Sequence, residues 1–350
     1  SEYADERIRG TRGKRQMNKI NNKKAFVMMS GGVDSSVAAL LLKKQEYDVV
    51  GVFMRCFNLD GCAERDAEDA RRVAEKLDIP FYVWDFEKEY KKKVVEYMVE
   101  GYKQGITPNP DVMCNKEIKF GLFLEKALAM GADYVASGHY ARLSKRKNFI
   151  PSTRFGRSSD DLACPRRATA GASLITADQA RSAAGVSENK IFSLKIAKDK
   201  NKDQSYFLWT LTQKQLKHCL FPIGDYLKSE VREIARKAEL PTAEKKDSQG
   251  ICFLGKVTLD EFLKQYIPEK RGAVLNISGE KLGEHNGAHF YTIGQRHIGI
   301  KYQSASRRTS IKDNADTKPY YVAEKDVKTN TLMMAEGNDN LALYKKEIEI

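Results

Sequence analysis

Three stretches of the chain hold side chains that could do chemistry, and the first is a loop built around two glycines and an aspartate. Residues 28–36 read MMSGGVDSS. A short apolar run precedes them and apolar residues at helical spacing follow, which predicts a strand, a tight turn and a helix. Free amides at such a helix start bind phosphate groups. The loop lacks the lysine and the spacing of GxxxxGK[ST], so it predicts a nucleotide site of another kind, with a plain Gly-Gly turn as the alternative.

The second stretch is a cysteine that follows two prolines. Residues 107–120 read TPNPDVMCNKEIKF. We expect Cys114 to lie at the start of a helix, where the helix dipole lowers the pKa of a thiol. Lys116 and Lys119 add positive potential, and Asp111 is close enough in sequence to act as an acid or base. A buried structural cysteine beside a capping aspartate is the alternative.

A second cysteine raises the possibility of sulfur chemistry. Cys252 lies in the segment DSQGICFL, residues 247–254. Taken alone, Cys252 is better explained as a core residue. Sulfur transfer and disulfide exchange need one attacking and one leaving sulfur, and Cys114 and Cys252 on two separate loops could provide them.

The elements that must position these loops follow an alternating pattern. Strands predicted at 24–29, 47–54, 81–85 and 133–136 alternate with helices, which indicates an α/β fold with a doubly wound parallel sheet. Ligands bind at the carboxyl edge of such sheets. The later part is punctuated by glycine and predicts further strands; these are 273–277, 288–293, 320–324 and 331–335.

The chain is predicted to divide into a tail and three domains. We expect a basic tail, a catalytic domain interrupted by a loosely folded insertion, a small central domain and a short C-terminal β-barrel. These segments are 1–22, 23–221 with the insertion at about 145–190, 222–271 and 272–350.

Composition narrows the classes of protein. The net charge of +13 over 350 residues favours a polyanionic partner such as nucleic acid. No apolar run is long enough to cross a membrane, and no secretory signal is seen. Six cysteines in 350 residues are too few for a disulfide scaffold, and the absence of a CxxC pair argues against a zinc ribbon or an iron–sulfur site. We therefore expect a reducing compartment, namely the cytoplasm, with a mitochondrion or plastid as alternatives.

Six segments in order resemble one known family. They read SGGVDSS, TPNPDVMCNKEIKF, SGHYAR, KDQSYFLW, DSQGICFL and YTIGQRHIGI. Together they resemble the tRNA-specific 2-thiouridylases, which are PP-loop ATP pyrophosphatases, over residues 24–143 and 191–300. The resemblance implies sulfur transfer to C2 of the wobble uridine of tRNA. It also implies ATP and Mg²⁺ as cofactors, the tRNA anticodon loop and a persulfide sulfur-donor protein as partners, and a monomeric enzyme.

The resemblance also implies site residues. Cys114 matches the nucleophile and Cys252 the persulfide carrier, with a disulfide between them after turnover, and Asp111 matches the acid or base. No protein-held metal site is implied, although Asp34 is placed to help hold Mg²⁺ beside the triphosphate. The implied ATP contacts are Met28, Met29, Ser30, Gly31, Gly32, Val33, Asp34, Ser35, Met54 and Gly138. The implied contacts to tRNA and its target base are Asn109, Pro110, Asp111, His139, Lys202, Asp203 and Gln204.

Two other functions stay open at this point. A PP-loop ligase that adenylates a small carboxylate to form an amide would need no cysteine pair. A non-catalytic RNA-binding relative would fit the basic charge and the short C-terminal β region. Loss of turnover on replacing Cys114 or Cys252 would exclude the ligase, and ATP-to-AMP turnover stimulated by tRNA would exclude the non-catalytic relative.

Overall fold

A parallel sheet forms the first half of the protein. The computed structural model describes residues 23–57, 61, 63–150, 187–247, 253–255, 257–296, 298 and 318–344. Within them the first strands are β1 (Lys24–Met28), β2 (Asp48–Arg55), β3 (Phe81–Asp85) and β4 (Tyr134–Ala136). A further short strand, Cys219–Leu220, completes the order β3-β2-β1-β4-β7, in which every pairing is parallel; it is β7 in chain order.

The central strand is buried on both faces, as parallel strands usually are. Along β1, Phe26 and Met28 belong to one apolar cluster, whereas Ala25 and Val27 belong to another on the opposite face. The strand alternation therefore splits a continuous apolar run between two cores. This arrangement exposes the carboxyl end of β1, where the glycine loop begins.

Helices cover both faces of the sheet. They are α1 (Val33–Lys44), α2 (Ala63–Lys76), α3 (Glu87–Tyr90), α4 (Glu96–Lys103), α5 (Pro110–Met113) and α6 (Leu124–Ala129). Two π-helical segments, Lys91–Val95 and Cys114–Phe123, join α3 to α4 and α5 to α6. Later helices are α7 (Gln213–Leu216), α8 (Lys228–Lys237) and α9 (Leu259–Lys264). Helix α8 buries Val231 and Ala235 in the cluster that also contains α1.

The predicted insertion has ordered edges. Strands β5 (Arg142–Ile150) and β6 (Ser187–Lys195) pair antiparallel from Arg142↔Lys195 to Ile150↔Ser187. The prediction of a loosely folded stretch at about 145–190 is therefore wrong at its two ends, 145–150 and 187–190. Residues 151–186 lie outside the described residues, as do the predicted basic tail and Cys252.

The C-terminal part forms a second sheet. Its strands are β8 (Gly272–Asn276), β9 (Lys281–His285), β10 (Tyr320–Asp326) and β11 (Thr331–Glu336), in the order β10-β11-β8-β9. The predicted strand at 288–293 is wrong, because Ala288–Phe290 is a 3₁₀ turn held by the hydrogen bond from Phe290 N to Gly287 O. Strand β9 was not predicted. The fold class, a parallel α/β domain followed by a β domain, is confirmed.

One buried side chain ties this sheet together. Asn330 has a left-handed φ of 55° and is 6% exposed. Its amide donates to the carbonyls of Lys270 and Arg271, and its oxygen accepts from Ala288 N. Three hydrogen bonds from one side chain therefore hold the turn before β11 against the start of β8.

No helix in the described part of the chain is both long enough and apolar enough to span a bilayer. The domain limits predicted at 221/222 and 271/272 stay predictions.

Candidate active site

The glycine loop turns sharply away from β1. Gly31 has a left-handed φ of +72°, and a Cβ there would lie 2.3 Å from the carbonyl oxygen of Asp66 in α2. Both the backbone angle and the space therefore require glycine. Met29 does not face the same way as Met28, because its side chain is buried on the α1 face, beside Gly51.

Serine hydroxyls hold the loop from within. Ser30 N donates to Ser35 Oγ at 3.1 Å, and Ser35 Oγ donates to Gly32 O. Ser36 Oγ also donates to Gly32 O, at 2.8 Å, and accepts from Thr242 Oγ1. These bonds fix the start of α1, so its amides are oriented before any anion arrives. Ser30 stays exposed, whereas Ser36 is fully buried.

The turn after β4 packs directly on the loop. A Cβ on Gly138 would lie 2.7 Å from Ser35 N and 2.8 Å from Asp34 C. Only glycine allows this approach, so the SGHY segment and the glycine loop form one wall.

A cleft of about 370 Å³ opens at this carboxyl edge of the sheet. Eight of the ten predicted ATP residues line it: Met28, Ser30, Gly32, Val33, Asp34, Ser35, Met54 and Gly138. Three of the predicted tRNA residues also line it: His139, Lys202 and Gln204. Eight residues that are not among the predicted ATP or tRNA contacts complete the wall: Asp66, Lys119, Ser137, Tyr140, Lys228, Lys245, Lys246 and Asp247.

The acid of the glycine loop, Asp34, is paired within the protein, although its side chain is 32% exposed. Lys228 Nζ lies 2.8 and 2.9 Å from the two carboxylate oxygens of Asp34, and the Tyr140 hydroxyl donates to the same carboxylate at 2.9 Å. Lys228 also pairs with Asp247 at 2.8 Å. Burial and the nearby carboxylate of Asp34 raise the pKa of Tyr140, so Tyr140 stays a hydrogen-bond donor.

Asp247 forms ion pairs with three cationic side chains. Its carboxylate contacts Lys202 at 3.1 Å, Lys228 at 2.8 Å and Arg232 at 2.7 Å. Burial alone would raise the pKa of Asp247, but hydrogen bonds from Lys228 and Lys202 lower it to about 2. Asp247 is therefore ionised at neutral pH and holds these cations at the cleft.

Lys245 forms a separate cationic point on the α2 side of the cleft. It pairs with Asp66 at 2.7 Å and Asp69 at 2.6 Å. Although burial would lower its pKa, these two hydrogen bonds raise it, so Lys245 stays charged. No group of three His, Cys, Asp or Glu side chains suited to a metal ion occurs among the described residues. Mg²⁺ is commonly held by one or two carboxylates together with phosphate and water oxygens, and the cleft fits this pattern because Asp34, Asp66 and Asp247 line it.

The helix that carries the first cysteine begins earlier than predicted. Asn109 caps it by accepting from the amides of Asp111 and Val112, and buried Pro110 is its first residue. Cys114 therefore lies in the second turn, and the prediction that it starts the helix is wrong. Its side chain is 4% exposed and lies in the same apolar cluster as Phe253. The premise of a thiol at the positive end of the helix dipole fails, because Asn109 and Asp111 occupy that end.

Lys119 connects the cysteine helix to the cleft. It lines the cleft, and its positive charge acts on both Asp111 and His139. Burial raises the pKa of Asp111, while Lys119 opposes this shift. A carboxylate with a raised pKa is a better proton acceptor than an ordinary aspartate. Burial, and to a lesser extent the positive charge of Lys119, lowers the pKa of His139 well below its usual value, so this histidine is neutral.

The KDQ segment locks onto the neighbouring turn. Gln204 N donates to Tyr140 O, and Gln204 Oε1 accepts from Tyr140 N. The Asp203 carboxylate accepts hydrogen bonds from Ala197 N and Ser205 Oγ, which are both close to it in sequence. A further link runs from Asn115 Nδ2 on the cysteine helix to Phe207 O. The motifs at 28–36, 107–120, 137–142 and 202–209 therefore meet around one cleft.

The second predicted cysteine, Cys252, lies outside the described residues. Its neighbours in sequence are described on both sides. Asp247 lines the cleft, and Phe253 is 1% exposed and packs against Phe57, Tyr90 and Phe262. The pairing of Cys114 with Cys252 stays a prediction.

The C-terminal sheet touches the loop that precedes the cysteine. Thr292 Oγ1 lies 3.4 Å from Thr107 Oγ1, and Lys325 Nζ lies 3.5 Å from the same atom. Lys325 also donates to Tyr291 O at 2.7 Å. The second sheet thus supports the start of the TPNPD segment.

Comparison with known proteins agrees with this arrangement. The family model described as tRNA methyl transferase HUP domain matches residues 23–162 and 164–256, and the model described as tRNA methyl transferase PRC-barrel domain matches residues 260–336. The 2-thiouridylase MnmA 2 of Aliarcobacter butzleri is 43% identical over 95% of this chain and 79% of its own length.

Two further relatives are equally similar. The tRNA-specific 2-thiouridylase MnmA of Bacillus velezensis is 43% identical over 93% of this chain and 74% of its own. That of Streptococcus thermophilus is 42% identical over 93% of this chain and 76% of its own. With four motifs gathered at one cleft and this degree of identity along the chain, the protein belongs to the tRNA-specific 2-thiouridylase family.

Proposed function

We propose that this protein uses ATP to replace O2 of the wobble uridine of tRNA with sulfur. The observation that carries the proposal is the cleft itself. The SGGVDS loop, the SGHY turn and the KDQ segment line one cavity, and Lys119 of the cysteine helix reaches into it. The thiouridylase relatives support the same substrate class.

The chemistry explains why ATP and thiols are needed together. An oxygen on uracil is a poor leaving group, so it must be activated before sulfur can displace it. In the proposed first step O2 attacks the α-phosphate, the bond to pyrophosphate breaks, and Asp111 accepts the N3 proton. ATP supplies the activated phosphate when bound, and Mg²⁺ with the cleft lysines offsets its charge.

The second half of the proposal is sulfur transfer. The outer sulfur of a persulfide on Cys252 attacks C2 and AMP leaves. The Cys114 thiolate then attacks the inner sulfur, the sulfur–sulfur bond breaks, and its electron pair stays on the sulfur bound to C2. A Cys114–Cys252 disulfide remains, and a thiol reductant resets it. A persulfide-bearing protein reloads Cys252.

Methyl transfer, the activity in the description of the matching family models, needs neither part of this arrangement. Adding a methyl group to a base expels no base oxygen, so it gives no reason for an ATP-splitting loop. The amide-forming ligase would need ATP but no cysteine. The relatives named as thiouridylases support the sulfurtransferase over both.

Several finer features belong to the same proposal. The target base is held by Asn109, Pro110 and Asp111, and the anticodon loop contacts His139, Lys202, Asp203 and Gln204. The protein acts as a monomer. Its compartment is the cytoplasm, which the bacterial origin of the relatives supports.

The test is mass spectrometry of the wobble nucleoside after tRNA is incubated with ATP, a persulfide source and the protein. We expect 2-thiouridine with the unchanged protein, and its loss by at least about a hundredfold in Cys114→Ser and Cys252→Ser. Cys219→Ser is the control, because burial raises the pKa of that thiol to about 12 and makes it a poor nucleophile. Full turnover in the Cys114 and Cys252 variants would contradict the proposal.

A further inference from the structure

Lys228 is the cation most closely engaged with the glycine loop. It is the first residue of α8, and its side chain is 13% exposed. Its ammonium group contacts both oxygens of Asp34, at 2.8 and 2.9 Å, although the two residues are 194 positions apart in sequence. The family motifs quoted above do not include Lys228.

This contact conflicts with a simple role for Asp34 in binding magnesium. Mg²⁺ requires oxygen ligands at about 2.0–2.1 Å in near-octahedral geometry. The Lys228 ammonium group faces both oxygens of Asp34, and Oδ1 also accepts from Tyr140, so a metal ion bound here would lie beside a positive charge. Lys228 and a cation therefore compete for the Asp34 carboxylate.

The surroundings give Lys228 a second place to go. Asp247 Oδ1 already lies 2.8 Å from Lys228, and it is also paired with Arg232 at 2.7 Å. If Lys228 leaves Asp34, its ammonium group can still pair with Asp247. If Lys228 moves further toward the cleft opening, Asp247 remains paired with Arg232. Five lysines line the cleft against three aspartates, which suits a polyphosphate.

We propose that Lys228 is an exchangeable counter-ion. In the nucleotide-free protein it neutralises Asp34. When MgATP binds, Lys228 yields this carboxylate to Mg²⁺ and donates instead to the β- and γ-phosphate oxygens. As the bond from the α-phosphate to uracil O2 forms and the bond to pyrophosphate breaks, the electron pair passes to the pyrophosphate oxygen, which Lys228 stabilises. This inference rests on the ATP step of the proposed function.

The variant Lys228→Met keeps the apolar stem and removes the charge. Without nucleotide, we expect Mn²⁺ to bind about fivefold more tightly, because the competing ammonium is gone from a partly exposed carboxylate. With tRNA and MgATP, we expect single-turnover pyrophosphate formation to be about a hundredfold slower, as for other lost donors to developing charge. Electron paramagnetic resonance measures free Mn²⁺, and a coupled pyrophosphate assay measures the rate.

Two further variants keep the test sharp. Lys198→Met is the matched control. Lys198 pairs at 3.0 Å with Glu230, a partly exposed residue of α8, and it does not line the cleft. Lys228→Arg keeps the positive charge and should leave Mn²⁺ binding close to that of the unchanged protein. Thermal unfolding monitored by circular dichroism establishes that each variant is folded.

Tighter Mn²⁺ binding in Lys228→Met but not in Lys228→Arg or Lys198→Met, together with slower pyrophosphate formation, supports the proposal. Unchanged or weaker Mn²⁺ binding in Lys228→Met overturns it, as does an unchanged rate of pyrophosphate formation. The Mn²⁺ measurement uses neither tRNA nor a sulfur donor. Its failure is therefore distinguishable from a failure of thiolation.

Discussion

The close packing of Gly138 on the glycine loop makes Gly138→Ala the most direct test of the nucleotide site. The added methyl group would lie 2.7 Å from Ser35 N and 2.8 Å from Asp34 C, where ordinary contact begins at 3.4 Å. One side must therefore move by about 0.7 Å. Both neighbours are backbone atoms, so no side-chain rotation relieves the contact.

The strand that leads into Gly138 has little freedom to retreat. Strand β4 is paired on both edges, through Ala136↔Val27 and Ala136↔Leu220. The loop, which is held by hydroxyl contacts, is the part that yields. Overpacking of this kind costs about 1–3 kcal/mol, which corresponds to about fivefold to 150-fold in a dissociation constant if the cost is paid by the phosphate-binding geometry.

The assay is isothermal titration of ATP with Mg²⁺, alongside thermal unfolding. We expect ATP affinity to fall within that range while the fold survives. Gly272→Ala is the control, because its methyl group would lie 2.0 Å from Asn330 O in the C-terminal sheet, away from the cleft. It should lower stability and leave ATP affinity unchanged. Parental ATP affinity in a folded Gly138→Ala protein would refute the packing argument.

Three other predictions concern separate parts of the molecule. Burial raises the pKa of Asp111, so thiolation should slow as pH falls through a value above that of an ordinary aspartate; a pH–rate profile should lose this limb in Asp111→Asn, and an unchanged profile would exclude Asp111 as the base. Asn330→Ala removes three hydrogen bonds and should lower the free energy of unfolding by about 2–4 kcal/mol, as measured by urea titration; a loss below about 0.5 kcal/mol would contradict the bracing role. Replacing 151–186 with Asn-Gly should preserve ATP binding, because Ile150 and Ser187 are register partners that a two-residue turn can join; insoluble protein or lost ATP binding would show that the replaced residues are required.

Local signals predicted most of the parallel sheet and the loop at its edge. Residues 25–29 are all apolar, and the glycines and the helical spacing follow within a few residues. Each of these signals depends on residues within one turn or one strand, so it can be recognised in the sequence alone. The same kind of signal failed at 288–293, where apolar residues next to Gly287 form a 3₁₀ turn instead of a strand.

The cysteine helix shows how a correct motif can carry a wrong local detail. The sequence placed Asp111 and Cys114 on one segment, and the structure keeps them there. The helix nevertheless starts at Pro110, because Asn109 satisfies the first amides and proline needs no amide partner at this position. The chemical argument for Cys114 therefore depends on its surroundings and not on the helix dipole.

By itself the sequence determined the family, the strand–turn–helix of the nucleotide loop and the segment that carries Cys114, because those features are encoded by residues close to one another. Only the tertiary structure decided that Tyr140 and Lys228, 106 and 194 residues from Asp34, meet its carboxylate. Such ion pairs have no period and no spacing in the chain. They arise because α8 packs on α1 and the turn after β4 packs on the glycine loop, which brings distant charges to one cleft.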